Sequence, residues 1–563
     1  MDRYFHSVTL DSEKCRGCTN CIKQCPTEAI RVRDGKARII EERCIDCGEC
    51  IRICPNHAKI VVTDGLEKLQ EFKYTVAMPA PSLFGQFKPE IEPAMILGAL
   101  LRIGFSRVFE VAVGAELITQ AICSEIILSR EKKPLISSAC PAVVRLMQVR
   151  FPGLLSHIIP IKAPMEVSAK MAKEAVMREL GLPLSKIGAF FITPCPAKVT
   201  AVKQPVGDDY SWVDGVFSMS ALYGELLQHA RPQNADVGLH QATGAGMGWG
   251  RAGGENAAIG ASSLLSVDGI RNVVAVLDEL EKGGMGEIDY VEAQACVGGC
   301  IGGPLVVQNP FMSRVLIRKM AEKYSQKTQL VSAEQTVKMV AGGHFATSKS
   351  IRPRAAMQLD EDVAQALSKM ALLEQTLQHL PDLDCGSCGS PNCRALAEDI
   401  VRGLAFESDC IFKLRERVRS LAEEMVELAQ KMPPAMGRLQ SVGREEGRER
   451  LHLGEVVEIL DATVHGEPFV LERQVTGAYC SDLLSDAMAN AKEGNLWFTI
   501  QTHPNVVAVA SLLSLAAVVI TGGREPEPET LAKAKQEKVA VLVTVVRSFE
   551  AAGKIYGYLN ERK

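Results

Sequence analysis

The alternation of apolar and polar stretches along the chain predicts a protein built from layers of helices and strands. Between about residues 72 and 345, the apolar runs at 189–192 and 273–277 have the length and branched content of buried strands, whereas residues 167–180 repeat apolar positions at helical spacing. This pattern is typical of α/β layers, whose chemistry lies in loops at strand ends. The longest apolar run, 506–520, contains two serines, so we expect a buried helix and strand there rather than a membrane span.

Length and composition narrow the class of protein that this pattern allows. A chain of 563 residues exceeds the size of one hydrophobic core, so several domains are expected. A net charge of −4 and a hydrophobic fraction of 47% describe a soluble globular protein without the basic surface that nucleic acid requires. The N-terminal residues lack a basic segment followed by an apolar one, which predicts a cytoplasmic protein that does not bind a membrane.

Cysteine is the residue type that indicates most about the chemistry of this chain. The chain has 18 cysteines, and all but Cys123 and Cys480 fall into tight clusters. Because thiols stay reduced in the cytoplasm, such clusters predict metal ligands rather than disulfides. We interpret Cys123 and Cys480 as buried structural thiols.

Two consecutive C-x2-C-x2-C-x3-C-P runs lie within residues 15–55. Two-residue gaps let one backbone turn aim three thiolates at a 4Fe-4S cluster, while the fourth cysteine of each run binds the other cluster. The stretch between the runs, with a turn at Asp34-Gly35, predicts the hairpin of a two-cluster ferredoxin fold. A pair of zinc sites is the alternative, although zinc usually takes paired Cys-x2-Cys motifs. The spacing assigns one cluster to Cys15, Cys18, Cys21 and Cys54, and the second to Cys25, Cys44, Cys47 and Cys50.

Three loops of the central region carry four further cysteines. The loops read SSACP at 137–141, TPCPAK at 193–198 and ACVGGCIGG at 295–303. The glycine pairs of the third loop permit close backbone approach to a bulky inorganic group. Together the loops resemble the three signature motifs of the FeFe hydrogenase family, and the resemblance covers roughly residues 1–345.

The resemblance implies an H-cluster, in which a 4Fe-4S cluster is joined to a diiron unit with carbonyl, cyanide and dithiolate ligands. By position, Cys140, Cys195 and Cys296 would bind the cluster, and Cys300 would also bridge to the diiron unit. Lys198 matches the family lysine that donates to an iron-bound cyanide, a role that suits an ammonium group with three donors. The reactants would be H2 and protons, with ferredoxin or another redox protein as electron partner.

The same loops depart from the family at positions that handle protons. Ala139 stands where catalytic members carry a second cysteine, and alanine cannot titrate. Ala163 replaces a family serine and Ile122 a pathway glutamate, whereas Glu125 matches the remaining glutamate. Gln294 takes the place of a methionine beneath the diiron unit. Loss of a proton relay slows turnover by ~10² to 10⁴, so the resemblance implies a hydrogenase of low activity.

The C-terminal third begins with another cysteine motif and a helical segment. A C-x2-C-x4-C-x16-C pattern, far from the ferredoxin module along the chain, resembles a small 4Fe-4S domain found beside sensory and corrinoid-linked proteins. Zinc is the alternative, and iron would bring the accessory 4Fe-4S clusters to three. Apolar residues at three- and four-residue steps through 411–428 predict either a coiled coil, and so a homodimer, or a helix docked on its own chain. The cysteines of this motif are Cys385, Cys388, Cys393 and Cys410.

The last segment of the chain has no cysteine cluster. Residues 443–450 are highly charged and predict a linker. The chain beyond resembles the DRTGG domain, a small α/β regulatory module, in short segments at 475–477, 494–497 and 518–523. The Thr521-Gly522-Gly523 turn is a candidate anion cradle, although such a sequence is more often only a turn. No kinase or DNA-binding signature is evident, so output would pass to an unknown signalling protein.

The predicted fold is multidomain α/β and α+β. Its parts are a ferredoxin-like two-cluster module (1–68), a FeFe hydrogenase α/β domain (69–350), a small helical 4Fe-4S domain (351–410), a coiled-coil-like helix (411–434), a linker (435–450) and a C-terminal α/β regulatory domain (451–563). The leading functional prediction is a sensory hydrogenase that splits H2 slowly. A ferredoxin-dependent catalytic hydrogenase and a noncatalytic Fe-S scaffold without the diiron unit are the alternatives.

Overall fold

The computed structural model describes residues 4–129, 133–430, 451–465 and 471–561. The chain divides into two compact units, Met1–Ala422 and Glu423–Lys563. The first unit carries all three cysteine-rich regions, and the second has its own hydrophobic core. The predicted linker at 443–450 lies outside the described residues.

The N-terminal module has two small antiparallel sheets and two short helices. Its elements are β1 (Val8–Leu10), α1 (Asn20–Gln24), β2 (Ile30–Arg33), β3 (Lys36–Ile39), α2 (Glu49–Arg52) and β4 (Lys59–Val61). Strand β1 pairs with β4, and β2 pairs with β3 across Asp34-Gly35. Both turn residues have positive φ, 53° and 70°, as a two-residue type I′ hairpin requires. The predicted hairpin is therefore confirmed.

The central domain contains two separate parallel sheets surrounded by helices. Its first half comprises β5 (Tyr74–Pro79), α3 (Pro93–Ile103), β6 (Arg107–Val108), α4 (Val111–Leu128), β7 (Leu135–Ile136), α5 (Pro141–Arg150), α6 (Pro164–Leu180), β8 (Ile187–Thr193) and α7 (Pro196–Lys203). Its second half comprises β9 (Gly215–Ser218), α8 (Met219–His229), α9 (Gly244–Gly248), α10 (Gly254–Ile259), β10 (Leu264–Asp268), α11 (Ile270–Glu281), β11 (Tyr290–Gln294), α12 (Pro310–Lys323) and α13 (Ala333–Ala341). The sheet orders are β6-β5-β8-β9 and β10-β11-β7, which confirms the predicted α/β class.

The central strands position the cysteine loops. Strands β8 and β11 are buried at every position, as expected for parallel strands covered on both faces, and the apolar run at 189–192 lies within β8. The three cysteine loops follow β7, β8 and β11 directly, so each loop leaves the carboxyl end of a parallel strand. Loops at such ends are where α/β proteins usually bind ligands.

One strand prediction was wrong. Residues 273–277 lie in helix α11, where Val273 and Leu277 are buried four residues apart and the residues between them are partly or fully exposed. A short apolar run cannot by itself separate a buried strand from one face of a helix. The helical prediction for 167–180 is confirmed by α6.

Helix α4 is the described helix that is long and apolar enough to cross a membrane by length and composition. However, 67% of it is buried inside the protein, where it packs against α6, α9 and α10. We therefore interpret α4 as a core helix of the central domain.

The small C-terminal cysteine domain of the first unit is helical, as predicted. It contains α14 (Val363–His379) and α15 (Cys393–Val401), which pack together, and α16 (Ile411–Gln430) follows its last cysteine. On α16, the apolar residues Ile411, Leu414, Val418 and Leu421 are 42–57% exposed. The choice between a coiled coil and a helix docked on its own chain, and with it the homodimer, stays a prediction.

The second unit is an α/β domain around one five-stranded sheet of order β12-β16-β15-β14-β13. Its elements are α17 (Leu453–Leu460), β12 (Thr463–His465), β13 (Gly477–Cys480), α18 (Leu484–Asn490), β14 (Asn495–Thr499), α19 (Asn505–Leu512), β15 (Ala517–Ile520), α20 (Pro528–Gln536), β16 (Val541–Val543) and α21 (Ser548–Glu561). Only β12 runs antiparallel to its neighbour. The apolar run at 506–520 is a helix followed by a strand, as predicted.

Two details of the second unit bear on the sequence predictions. Cys480 is exposed on edge strand β13, so its interpretation as a buried thiol was wrong, while Cys123 is partly buried on α4.

The N–H groups of Gly522 and Gly523 donate to the carbonyls of Val546 and Thr544 at 3.0 and 2.9 Å. Because these donors are already used, the segment is a turn rather than an anion cradle.

Candidate metal centre

The cysteines of the N-terminal module group as the spacing predicts. Burial raises the pKa of the Cys21 thiol, and negative charge on Cys18, Cys54 and Cys15 would raise it further, so these four lie together. Burial likewise raises the pKa of Cys47, with Cys25 as the next contributor and Cys50 beside it. The fourth cysteine of each run thus stands with the other run, the arrangement that two 4Fe-4S clusters need.

The four central cysteines converge on one buried site. Burial, together with the neighbouring Cys296 and Cys300, raises the pKa of Cys140 to about 11. The pKa of Cys195 is raised well above its ordinary value by burial and then by Cys296 and Cys140. Thiols this buried ionise readily only when a metal compensates the charge, so the donor set fits an iron-sulfur cluster.

Two of these cysteines stand at the N-termini of helices. Cys140 precedes α5 and Cys195 precedes α7, and each helix has proline as its first residue. Proline suits this position because its fixed φ is helical and its missing N–H has no partner there. The positive end of each helix dipole therefore faces the thiols, which favours an anionic group.

Glycines bring the third cysteine loop against its neighbours. A Cβ on Gly299, whose φ is 90°, would lie 2.3 Å from Oε1 of Gln294 and 2.5 Å from N of Ala252. A Cβ on Gly303 would lie 2.2 Å from the carbonyl oxygen of Pro194 in the second loop. Only glycine fits at these two positions, and so the loops can approach closely.

A cavity of about 60 Å³ lies beside the thiols. Its walls include all four central cysteines, together with Lys198, Phe191, Gln294 and Trp249. Nζ of Lys198 lies 3.6 Å from Sγ of Cys300 and 5.8 Å from the centre of the Phe191 ring. The residues present therefore fit both a cluster and an adjoining group that hangs from Cys300.

One wall of this cavity is apolar where a proton relay is expected. Ala139 and Ala163 line the cavity, and Ala139 packs against the apolar cluster that contains the buried Ile122. Glu125 does not line it: this residue lies ten positions, or ~15 Å, along α4 from the cavity residue Ala115. Its carboxylate accepts a hydrogen bond from Ser129 at 2.6 Å. The structure thus separates Glu125 from the other sequence-predicted site residues.

The cavity lining also contains a polar group that no sequence motif marked. Glu255, near the start of α10, lines the cavity and accepts hydrogen bonds from Ser137 Oγ at 3.0 Å and from Tyr290 OH at 2.6 Å. Ser137 Oγ also accepts from the N–H of Ala139 at 3.2 Å. Glu255 lies in a glycine-rich segment without cysteine, so no motif marked it, and only the fold brings it to the first cysteine loop.

The pKa of Glu255 is raised well above that of an ordinary carboxyl group. Burial raises its pKa to about 8, and the nearby carboxylate of Glu292 adds to the shift. Burial raises the pKa of Glu292 as well, but its carboxylate accepts from the N–H groups of Gly253 and Asn256, both at 2.9 Å, which stabilise its charge. The proton of the pair therefore resides on Glu255.

The C-terminal cysteine motif also gathers in space. Cys393 and Cys410 are buried and pack with Cys388, whereas Cys385 is exposed. Burial raises the pKa of Cys388, and negative charge on the neighbouring Cys385 would add to the shift. Although its sequence position is remote, this domain lies directly against the N-terminal module.

Three segments of the chain match protein-family models. Residues 73–304 match the iron only hydrogenase large subunit, C-terminal domain, residues 7–55 match a 4Fe-4S dicluster domain, and residues 380–412 match an Fe-S cluster family. The three segments contain every clustered cysteine. Iron-sulfur binding is therefore supported for both accessory regions and for the central one.

Two curated relatives illustrate the range of similar proteins. The periplasmic Fe hydrogenase large subunit of Nitratidesulfovibrio vulgaris is 30% identical over 212 residues, which cover 34% of this chain and 50% of that protein. The cytosolic Fe-S cluster assembly factor nar1 of Aspergillus terreus is 31% identical over 84 residues, which cover 15% of this chain and 14% of that protein. The chain thus spans half or less of the length of these relatives.

Solved structures give weaker similarity. An FeFe hydrogenase from Chlamydomonas reinhardtii covers 50% of this chain and 94% of its own, with 14% identity and a TM-score of 0.40. The CBS and DRTGG domains of a Clostridium perfringens pyrophosphatase cover 18% of this chain and 45% of their own, with 21% identity and a TM-score of 0.17. The DRTGG assignment of the second unit stays a prediction.

Proposed function

We propose that the protein is a sensory FeFe hydrogenase of low turnover, since residues 73–304 match the iron only hydrogenase large subunit, C-terminal domain. The observation that carries the proposal is the cavity beside the four buried thiols, with Lys198 at one side and alanine at both relay positions. The four thiols support the binding of a hydrogen-activating metal group, and the alanines at positions 139 and 163 support a slow turnover.

Each residue of the site has a role in this proposal. Cys140, Cys195 and Cys296 would hold a 4Fe-4S cluster, and Cys300 would also hold a diiron group in the cavity. When bound, that group supplies an open iron position at which H2 is split heterolytically. Lys198 would donate to an anionic ligand of the group, because its ammonium stands beside Cys300 and has no acceptor function.

Glu255 would take over the proton traffic that Ala139 cannot carry. A carboxyl group whose pKa lies near the working pH both accepts and releases protons, which is the requirement for a general acid and base. Ser137 and Tyr290 hold this carboxyl in place through hydrogen bonds, so the proton is held at a fixed position in the cavity wall. A site that uses Glu255 in place of a cysteine relay would turn over slowly but would still respond to H2.

The main alternative is a noncatalytic Fe-S scaffold, and the similarity to nar1 favours it. Such a protein would use the four thiols for an ordinary cluster and leave the cavity without a diiron group. A ferredoxin-dependent catalytic hydrogenase is the other candidate, and it requires that Glu255 restores full proton transfer.

Infrared spectroscopy of the purified chain after maturation with the diiron group tests the proposal. We expect absorption bands of iron-bound carbonyl and cyanide, and we expect Cys300→Ser to lose them while the accessory clusters persist. Absence of these bands from the native sequence would support the scaffold. Bands combined with a turnover equal to that of catalytic hydrogenases would reject the sensory assignment.

A further inference from the structure

Buried ion pairs attach the C-terminal cysteine domain to the N-terminal module. Arg31 of β2 donates from Nε and Nη2 to the two carboxylate oxygens of Asp399 at 2.6 and 3.0 Å. Arg33 donates to the same carboxylate at 2.8 Å. Arg31 and Asp399 are both buried, and a bidentate pair of this kind fixes orientation as well as position.

A second pair lies beside the first. Arg43 donates from Nη1 to Glu398 at 3.0 Å, and both residues are buried. Burial alone would raise the pKa of Glu398, but the Arg43 guanidinium outweighs it and lowers the pKa below its ordinary value. Asn392 adds a hydrogen bond to Glu28 at 2.7 Å. Several independent contacts therefore hold the two domains together.

The cysteine loop itself takes part in the attachment. The N–H of Val32 donates to the carbonyl of Gly389 at 2.7 Å, and Arg33 donates to the carbonyl of Cys388 at 3.0 Å. Gly389 has a φ of 79°, and a Cβ there would lie 2.0 Å from the oxygen of Val32. The domain can dock in this way only because this position is glycine.

The docked loop meets the first cysteine run of the N-terminal module. A Cβ on Gly386, the residue after Cys385, would lie 3.0 Å from Cε of Lys23 and 3.7 Å from Cδ1 of Ile22. Ile22 directly follows Cys21, so the neighbours of two cysteines from different domains are in contact.

The second cysteine run faces the central site instead. A Cβ on Gly48 would meet Pro304 at 2.3 Å and Pro196 at 3.2 Å, and Cys47 lines the central cavity. Pro196 is the residue after the central cysteine Cys195. The N-terminal module thus touches the central site with one run and the C-terminal cysteine domain with the other.

We infer that the N-terminal module passes electrons between the central site and the C-terminal cysteine domain. We call this domain the port, because its redox state would report the redox state of the central site. A cluster held by Cys15, Cys18, Cys21 and Cys54 would give up one electron in each transfer, and a cluster held by Cys385, Cys388, Cys393 and Cys410 would take it up. No bond is made or broken. The inference extends the proposed function, because it supplies the path by which H2 splitting would be sensed.

The end of this path lies next to the helix that leads to the second unit. Cys410 directly precedes α16, so reduction of the cluster adds a negative charge at the N-terminus of that helix. Negative charge there is favourable for the helix dipole. The redox state of the port would therefore be linked to the stability of the connecting helix.

Electron paramagnetic resonance of the full chain tests the relay. The clusters are reconstituted with iron and sulfide but without the diiron group, then reduced with dithionite. We expect the C-terminal cluster to broaden the signal of the N-terminal clusters and to shorten their spin relaxation time. Because no diiron group is present, the result is independent of hydrogenase activity and of the infrared experiment.

Variants then assign the effect to the docking contacts. Asp399→Asn leaves Arg31 and Arg33 without their charge partner, so we expect loss of the broadening. Gly389→Ala should also remove the broadening, because its Cβ would clash with the oxygen of Val32 while no charge is changed. Glu374→Gln is the control, since it removes the same charge from an exposed pair with Arg394 in the same domain and should leave the broadening intact. Absence of broadening in the unmodified chain, or its persistence in both docking variants, would overturn the relay.

Discussion

Two regions of the same cavity lining differ in their capacity to exchange protons. Ala139 and Ala163 present only hydrocarbon side chains, whereas Glu255 presents a carboxyl group whose pKa is raised by burial. The two regions are adjacent, because Ser137 Oγ contacts both the Glu255 carboxyl and the N–H of Ala139. Replacement of the relay residue at position 139 therefore leaves a titratable group in the cavity lining, and under the proposed function this group carries the proton.

The two glutamates named from the sequence and from the structure also differ in their surroundings. Glu255 is buried and is fixed by Ser137 and Tyr290, and burial raises its pKa. Glu125 is partly exposed on the far part of α4 and contacts Ser129.

The largest effect is expected from Glu255→Gln. This change keeps the shape and removes the titration, so turnover should fall by ~10² to 10⁴, the usual contribution of a positioned acid or base. The measurement is H2 oxidation and evolution by matured protein, with infrared bands recorded to show that the diiron group is intact.

Glu125→Gln is the matched control for that experiment, because it removes a carboxylate that does not line the cavity. Its turnover should stay close to that of the native sequence. If Glu125→Gln lowered turnover strongly and Glu255→Gln did not, Glu255 would not be the proton relay.

A smaller gain is expected from Ala139→Cys. The thiol would restore a titratable group on the apolar wall, so we expect turnover to rise by about tenfold or more within the range of a positioned acid. Ala139→Ser serves as the control for polarity, since its hydroxyl does not titrate near neutral pH. An unchanged rate in Ala139→Cys would show that Ala139 is not the limiting feature, and Glu255 alone would then set the rate.

The smallest effect concerns stability against pH. The pKa of Glu255 is higher in the folded chain than in the unfolded one, so its protonated form stabilises the fold below pH ~4.3 and this contribution is lost as the pH rises towards about 8. In that window one extra bound proton gives a slope of about 1.4 kcal/mol per pH unit. Thermal unfolding of Glu255→Gln should therefore depend less on pH between 6 and 8 than that of the native sequence or of Glu125→Gln. Parallel pH profiles in all three would mean that Glu255 is not protonated in the fold.

Much of the fold was readable from local pattern. The Asp34-Gly35 hairpin, helix α6, strand β8 and the helix and strand at 506–520 follow from turn residues and apolar spacing, which depend on near neighbours in sequence. Residues 273–277 were misread because a short branched run fits both a strand and one face of a helix. The relative position of the C-terminal cysteine domain was also unreadable, because Arg31 and Asp399 are ordinary charged residues until the fold pairs them.

The residues of the candidate site also fall into two groups, those that the sequence indicated and those that only the fold brings to the site. The sequence by itself determined the cysteine groups of the N-terminal module, because metal ligation imposes fixed spacings, and its resemblance to the hydrogenase family pointed to the four central cysteines, Ala139 and Lys198. Only the tertiary structure decided that Glu255 lines the same cavity as Ala139 and that Glu125 does not. The physical reason is that burial and contacts between distant residues set the pKa of a carboxyl group, and neither is encoded in a local motif.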